Sequence, residues 1–379
     1  MRNQRIKGIA ATLLAVSLIA ACGDDDKKSS DSTPGTAAAC AEMTPVKLQL
    51  QWVTQAQFAG YYAAIDQGYY AAQCLDVTIL EGAVDITPQT VLANGDADFA
   101  ISWVTKALAS REAGANIVDI AQVFQRSGTL QVSFKDSGIT SPADYAGKKI
   151  GNWGYGNEFE VFAAMTKAGI DPADVENVAQ QFDMVGLLEG DIDAAEAMTY
   201  NEYAQVLEAI NPDTNELYTP EDFNVISYED EGVGMLQDAI WASQDRLSDT
   251  AYQDMTQKFV TASLEGWIYC RDNAEECAQI VTDNGSKLGA SHQLWMMNEI
   301  NKLIWPNPTG EPIGTMDEKE WDKTIEIGID GGVLKKAPDS KAHRGDIHDA
   351  ALGFLKDSKV DLIGADYKPV TVKLTEGGK

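Results

Sequence analysis

Histidine is scarce: the 379 residues contain three, His292, His343 and His348. A catalytic imidazole therefore has few candidates. His343 and His348 share the segment KAHRGDIHDA, whose spacing matches no standard metal-ligand pattern. The chain also lacks G-x-S-x-G, H-E-x-x-H and a Walker-type Gly-Lys-Ser/Thr, which removes the easily recognised hydrolases and nucleotide enzymes. There is no C-x-x-C, so zinc or thioredoxin-like redox chemistry has little support. Basic residues are few, 29 against 58 acidic ones, and the formal net charge is −29. Such a surface repels phosphate backbones and argues against nucleic acid as a partner.

What is present begins with an address. Arg2, Arg5 and Lys7 precede the apolar run 8–21, and Ile19-Ala20-Ala21 stands directly before Cys22. The run is shorter than the roughly 20 residues of a membrane span, so 1–21 is a secretory signal rather than a fold element. Residues 22–44 have almost no large apolar side chains and form a flexible tether. After it no apolar stretch reaches membrane-spanning length. Beyond Cys22 remain Cys40, Cys74, Cys270 and Cys277, and an even number outside the cytosol favours two disulfides. Cys40 can tie the tether to Cys74, and Cys270 lies near Cys277, but four cysteines allow three pairings.

The body of the chain alternates strand and helix patterns. In KLQLQWVTQAQFAGYYAAIDQGYYAAQCLDVTIL (47–80), Val46, Leu48, Leu50 and Trp52 alternate with polar residues; helical spacing follows from Phe58 to Tyr70, and a β pattern resumes at Leu75. This is a βαβ unit, and alternation continues through PQTVLANGDADFAISW, TKALASREAG and IVDIAQVFQ, which implies a parallel α/β sheet. A second series runs from QVSFK through SPADYAG, KKIGNW, NEFEVFAAMTKAG, ENVAQQF and DIDAAEAMTYNEYAQVLEAI to FNVISYED. EGVGMLQDAIWAS then returns to the first series, and helical spacing dominates from Asp249 to about Leu303. The expected organisation is one lobe of residues 45–126 plus 228–379 and a second, 127–227, inserted into it. Crossings near Arg126 and Tyr228 make a natural hinge.

Parallel βαβ sheets bind ligands beyond the carboxyl ends of their strands, which selects the candidate site residues. In the first lobe these are Trp52, at the end of the first strand, with Gln55, Gln57, Phe58 and Tyr61 after it, Ser102 and Trp103 ending the third, and Gln125 and Arg126 ending the next. In the second they are the turn Trp153, Gly154, Tyr155, Gly156, Asn157 and Glu158, with Phe182-Asp183 and Tyr200-Asn201-Glu202 following strands. Trp52 and Phe58 offer flat faces for stacking, although core packing explains them equally well. Glu158 and Glu160 in a helix's first turn repel an anion and suit N–H donors; Glu160 with Asn157 also fits a capping box, and Asn201 fits a helix cap. Arg126 can meet a ligand carbonyl or pair with a surface acid.

The blocks QWVTQAQFAGYYAAIDQGYY, LDVTILEG, ANGDADFAIS, SPADYAGKKIGNW and MLQDAIWA occur in an order that resembles the solute-binding proteins of ABC importers. The similarity, over about Val46 to Leu303, is to the group that binds thiamine pyrimidine precursors and riboflavin, with sulfonate and nitrate binders more distant. It implies a type II periplasmic-binding-protein fold, two α/β lobes around a hinged cleft, and no catalysis, cofactor or metal. It further implies a monomer that hands a small heteroaromatic vitamin or precursor to a membrane permease. Ile19-Ala20-Ala21-Cys22 resembles a bacterial lipobox, which implies lipidation of Cys22 and anchoring on the extracytoplasmic side. The runner-up ligand is a small anion such as an alkanesulfonate or nitrate. An enzyme related to the fungal pyrimidine synthases is the catalytic alternative, and this chain lacks their cysteine-rich iron-binding stretch.

Overall fold

A computed structural model describes residues 40–356 and 359–379. The signal 1–21, Cys22 and nearly all of the tether lie outside the described residues. Among those described, no helix is long and apolar enough to cross a membrane. Cys40 pairs with Cys74 and Cys270 with Cys277. The chain is therefore tied to the body at Cys40 and enters its first strand at Thr44, within the segment expected to be tether.

Strand β1 (Thr44–Gln49) buries Val46 and Leu48 and exposes Lys47, the alternation seen in the sequence. A short buried turn, Ala56–Phe58, leads into helix α1 (Ala59–Asp66), then α2 (Tyr69–Ala72) and β2 (Leu75–Leu80), which pairs parallel with β1. Helix α3 (Pro88–Asn94) starts on Pro88 and stops at Gly95, whose φ of 80° supplies the left-handed residue that ends a helix. Then come β3 (Phe99–Trp103), α4 (Val104–Glu112) and β4 (Ile117–Gln122). Every residue of β3 and β4 is buried, as befits strands covered on both faces.

From β5 (Thr129–Phe134) the chain builds separate sheets. They contain β6 (Lys149–Asn152), α5 (Phe159–Ala168), β7 (Glu176–Ala179), α6 (Val185–Leu188), β8 (Ala195–Met198) and α7 (Glu202–Leu207). A small hairpin, β9 (Ile210–Asn211) with β10 (Glu216–Leu217), precedes β11 (Phe223–Ser227). Strand order is β11-β5-β8 in one sheet and β6-β7 in the other, with a parallel bridge from Ile150 to Ala194 linking them. Strand β12 (Asp238–Ser243) then returns between β3 and β4, giving the order β2-β1-β3-β12-β4. It runs antiparallel to both neighbours, and β5 is antiparallel to β8 and β11, so the sheets are mixed rather than purely parallel. A strand that re-enters directly from an adjacent segment needs no crossover helix, which is why it points the other way.

Helix α8 (Thr250–Asp272) packs on α1 and β2, α9 (Ala274–Asp283) on α1, and α10 (Ala290–Ile304) on α9 and the 56–58 turn; α11 (Glu318–Asp330) and α12 (Gly345–Leu355) follow. Asp249 starts α8 by accepting from the Ala251 N–H. The C-terminal region also closes the open edge of β4: Asp119 N–H donates to Ala342 and Gln122 N–H to Gly314. An uncovered edge is a template for unwanted pairing.

The tightest approach is between α1 and α8. A Cβ on Gly266 would sit 1.9 Å from the Gly60 carbonyl oxygen, and one on Gly60 would sit 2.3 Å from the Trp267 ring. Backbone blocks the first position, so Gly266→Ala must push the helices apart. We expect it to cost about 1–3 kcal/mol, read as a lower urea midpoint at unchanged slope.

Candidate binding cleft

A cavity of about 360 Å³ opens between the two sets of sheets. Its walls come from segments that follow strands. Gln51, Trp52, Gln55 and Gln57 follow β1, Thr87 to Gln89 follow β2, and Trp103 and Lys106 follow β3. Across the cleft, Trp153, Tyr155, Gly156, Asn157 and Phe159 follow β6, Phe182 follows β7, and Met198, Tyr200, Asn201 and Glu202 lie at the end of β8. This is the carboxyl-end geometry of open α/β sheets.

Aromatic rings face one another over the opening. Trp52 lies 4.8 Å from Phe182 by ring centroids, and Phe182 stacks on Trp153 at 6.3 Å with 10° between planes. The Lys106 amine sits 4.7 Å over the Trp103 ring and donates to Asn157 Oδ1 at 2.6 Å. That bond and the Trp52–Phe182 contact span the cleft.

Twelve of the residues singled out in the sequence line the cavity: Trp52, Gln55, Gln57, Trp103, Trp153, Tyr155, Gly156, Asn157, Phe182, Tyr200, Asn201 and Glu202. Eight do not, Gly154 and Asp183 among them. Phe58 is fully buried in the core, and Tyr61, one helical turn on, meets Trp267 edge to face at 5.6 Å. Ser102 points to the opposite side of β3 from Trp103 and accepts from Gln89. Gln125 donates to the carbonyls of Gln122 and Thr315. Arg126 does not line the cavity; its guanidinium donates to the carbonyls of Lys302, Leu303 and Pro306, around the carboxyl end of α10, and is attracted by Glu229. Glu158 accepts from the Gly156 N–H at 2.8 Å and so is used inside its own turn.

The two capping expectations also change. Glu160 is buried and accepts from the Met235 N–H at 2.6 Å, while Asn157 turns to Gly154 and Lys106. Asn201 makes no side-chain cap bond; it donates to Glu202 and its Oδ1 lies 3.0 Å from His292 Nε2.

The cleft holds ionisable groups out of water. Burial pushes the Asp238 carboxyl up to about 7, against hydrogen bonds from Gln57 and Gln51 and the attraction of Lys106. Burial likewise raises Glu202 to about 7 and Glu196 well above the carboxylate range. Desolvation lowers Lys106 to about 8, although Glu196, Asp238 and Glu158 all favour its charge. Among the described residues no cluster of three or more His, Cys, Asp or Glu is arranged to hold a metal ion.

Sequence reading missed Lys106, Gln51, Gln89, Phe159 and the underlying Asp238. Lys106 carried a usable signal: a cation in the first turn of α4 opposes the helix dipole, and it follows a strand end. Gln89, in the first turn of α3, obeys the same strand-end rule.

Two α/β lobes around such a cleft are the fold of periplasmic binding proteins. The periplasmic aliphatic sulfonate-binding protein SsuA of Escherichia coli superposes with a TM-score of 0.55 at 13% identity, over 87% of this chain and 94% of its own. A family profile described as NMT1/THI5 like matches residues 55–277, and the chain belongs to that family. A formylaminopyrimidine-binding protein of Halalkalibacterium halodurans is 22% identical over 322 residues, 84% of this chain and 91% of the relative. Riboflavin-binding protein RibY of Chloroflexus aurantiacus is 26% identical over 352 residues, 88% and 95% respectively.

The raised carboxyls set a pH dependence. A carboxyl whose folded pKa lies above its unfolded value holds its proton more tightly when folded, so its contribution is complete below the unfolded value and is lost as pH rises toward about 7. We expect the melting temperature of the ligand-free protein to fall between pH 5 and 7.5, and Asp238→Asn or Glu202→Gln to flatten that slope. Calorimetric melts across the range measure it.

Proposed function

We propose that the protein is the extracytoplasmic substrate-binding lipoprotein of an ABC importer, capturing a flat nitrogen heterocycle such as a thiamine pyrimidine precursor or riboflavin. The observation that carries this is the pairing of indole and phenyl faces across the cleft, Trp52 on one side and Phe182 with Trp153 on the other. Offset stacking rewards a flat guest by ~0.5–1.5 kcal/mol per ring beyond its buried area. The volume, about 360 Å³, lies in the range of small-molecule sites. The names of the two binding-protein relatives point the same way.

In this reading residues 127–227 close on 45–126 plus 228–379 about the two chain crossings, and no reaction follows. Closure needs only that the closed state bind the ligand better. Lipidation at Cys22 keeps the monomer near its permease and raises their effective concentration. Without its lipid, a Cys22→Ala chain should leave the membrane fraction and stay competent to bind.

Lys106 is the observation behind a second reading, in which a sulfonate or another small anion takes the same cleft. It is outnumbered: Asp238, Glu196 and Glu158 surround its ammonium, and Glu202 lines the same cavity. A thermal-shift screen of pyrimidines, flavins, nucleobases and sulfonates separates the two, because a ligand bound only by the folded state raises the melting temperature. Heterocycles should shift it, and Trp52→Ala should weaken them about tenfold while leaving the far-UV spectrum intact. Shifts from sulfonates alone, abolished in Lys106→Met, would instead establish the anion reading.

A further inference from the structure

One buried histidine holds both ends of helix α7. His292, on α10, is fully buried; its Nδ1 lies 2.9 Å from Glu208 Oε1 at the carboxyl end of α7, and its Nε2 lies 3.0 Å from Asn201 Oδ1 at the amino end. Asn201 donates from Nδ2 to Glu202 Oε1 at 2.6 Å, and Glu202 Oε2 accepts from the Met198 N–H at 3.0 Å. Asn201 and Glu202 line the cleft; His292 and Glu208 do not. The series therefore leads from the cleft wall to a contact between α7 and α10.

Hydrogen-bond polarity fixes what each member can carry. The Met198 N–H only donates, so Glu202 Oε2 is always an acceptor, and a proton on Glu202 must sit on Oε1, facing Asn201. While Glu202 is ionised, Asn201 keeps its NH₂ toward Glu202 and its carbonyl toward His292. A carbonyl only accepts, and Glu208 presents carboxylate oxygens on the other side, so the ring then carries a proton on each nitrogen and forms an ion pair with Glu208. When Glu202 is protonated, its O–H must donate, and Asn201 turns its carboxamide over to accept. The Asn201 NH₂ then faces Nε2, which must offer a lone pair, and His292 is left with Nδ1–H alone. Between the two states Glu202 Oε1 gains one proton and His292 Nε2 loses one, while Asn201 keeps both of its own.

We propose that Asn201 ties the charge of the cleft-lining Glu202 to that of His292, so that the state of the cleft sets the strength of the contact between α7 and α10. Ionised Glu202 goes with an imidazolium–carboxylate pair; protonated Glu202 reduces that pair to a hydrogen bond from a neutral ring. The coupling is reciprocal, and whatever presses α10 against α7 favours the ionised form of Glu202. Burial, with a smaller contribution from Asp183, already raises Glu202 to about 7, so a modest change beside it moves its proton. Of the other groups around the series, Gln205 Nε2 approaches Asn201 Oδ1 at 3.4 Å, and the turn Glu376–Gly378 packs on both helices with Glu376 and the following Lys379 exposed. The inference needs the cleft but not the heterocycle reading, since any occupant that touches Glu202 acts on the series.

Glu202→Gln tests this without a ligand. Its carboxamide must give its oxygen to the Met198 N–H and therefore its NH₂ to Asn201, which copies protonated Glu202. Nitrogen NMR of the full chain, labelled in its three histidines and recorded at pH 8, reads which ring nitrogens carry protons, with His292 assigned as the ring that responds to Glu208→Gln. His292 should be protonated on both nitrogens in the wild type and on Nδ1 alone in Glu202→Gln. Asn201→Asp presents oxygens to both sides, so in that background His292 should keep both protons whether residue 202 is Glu or Gln. Glu208→Gln should also lower the melting temperature by several degrees less in Glu202→Gln than in the wild type, because the ion pair is already gone. A merely structural Asn201 would change stability and leave the histidine pattern alone. A wild-type His292 protonated on one nitrogen, a folded Glu202→Gln protein with the wild-type pattern, or a response to Glu202→Gln that persists in Asn201→Asp overturns the coupling and leaves the binding reading standing.

Discussion

Much of the molecule depends on where β12 is laid down. Because the chain returns between β3 and β4 rather than at an edge, its preceding segment must run beside the outgoing one, and the two are fastened together there. Gln237 accepts from the Gly128 N–H and donates to the Ser127 and Thr129 hydroxyls, Glu229 accepts from the Ser127 N–H, and Glu160 reaches over from α5 to the Met235 N–H. The next residue, Asp238, is thereby delivered behind the cleft floor. One strand insertion thus sets both the path between the sheets and the carboxyl that holds Gln51 and Gln57 in the cleft wall.

The cleft concentrates charge in a place where water is scarce, and the two signs respond differently. Asp238 and Glu202 are driven toward neutrality near pH 7, while Lys106 remains an ammonium below about 8 because acids surround it. An isolated ion in that position would be costly; a lysine over an indole with an amide oxygen at 2.6 Å is not isolated. The lining offers flat apolar faces with few committed polar groups, a combination that selects for ring shape and edge chemistry more than for net charge.

The legible parts of the sequence were those where local pattern and tertiary role coincide. The β1–α1–β2 unit was readable because Val46 and Leu48 alternate and helical spacing follows, and α3 and α5 because Gly95 and Gly169 stop them at left-handed positions. The strand-end rule located Trp52, Trp103 and Trp153. It failed at Phe58 and Tyr61, since one helical turn carries a side chain from cleft to core, and at Ser102, since neighbouring strand residues face opposite ways. Strand direction was not legible either: β12 has the composition of a buried parallel strand and runs antiparallel because of how the chain re-enters. Hydrogen-bond partners far apart in the chain, Gln57 with Asp238 at a separation of 181 and Asn201 with His292 at 91, leave no trace in local spacing.

The cross-cleft contacts bear on how such a protein can respond to its ligand. Lys106 with Asn157 and Trp52 with Phe182 join the two walls directly, and His292 on α10 meets Asn201 and Glu208 on the α7 side. His292 and Glu208 are buried and Lys106 is desolvated, so these contacts are not the weak pairs of an exposed surface. A ligand that touches both walls adds interactions to each at once, and only when they are close. Its differential affinity for the closed arrangement, rather than its total affinity, is what moves the population, and a guest that stacked on one wall alone would bind without closing the cleft.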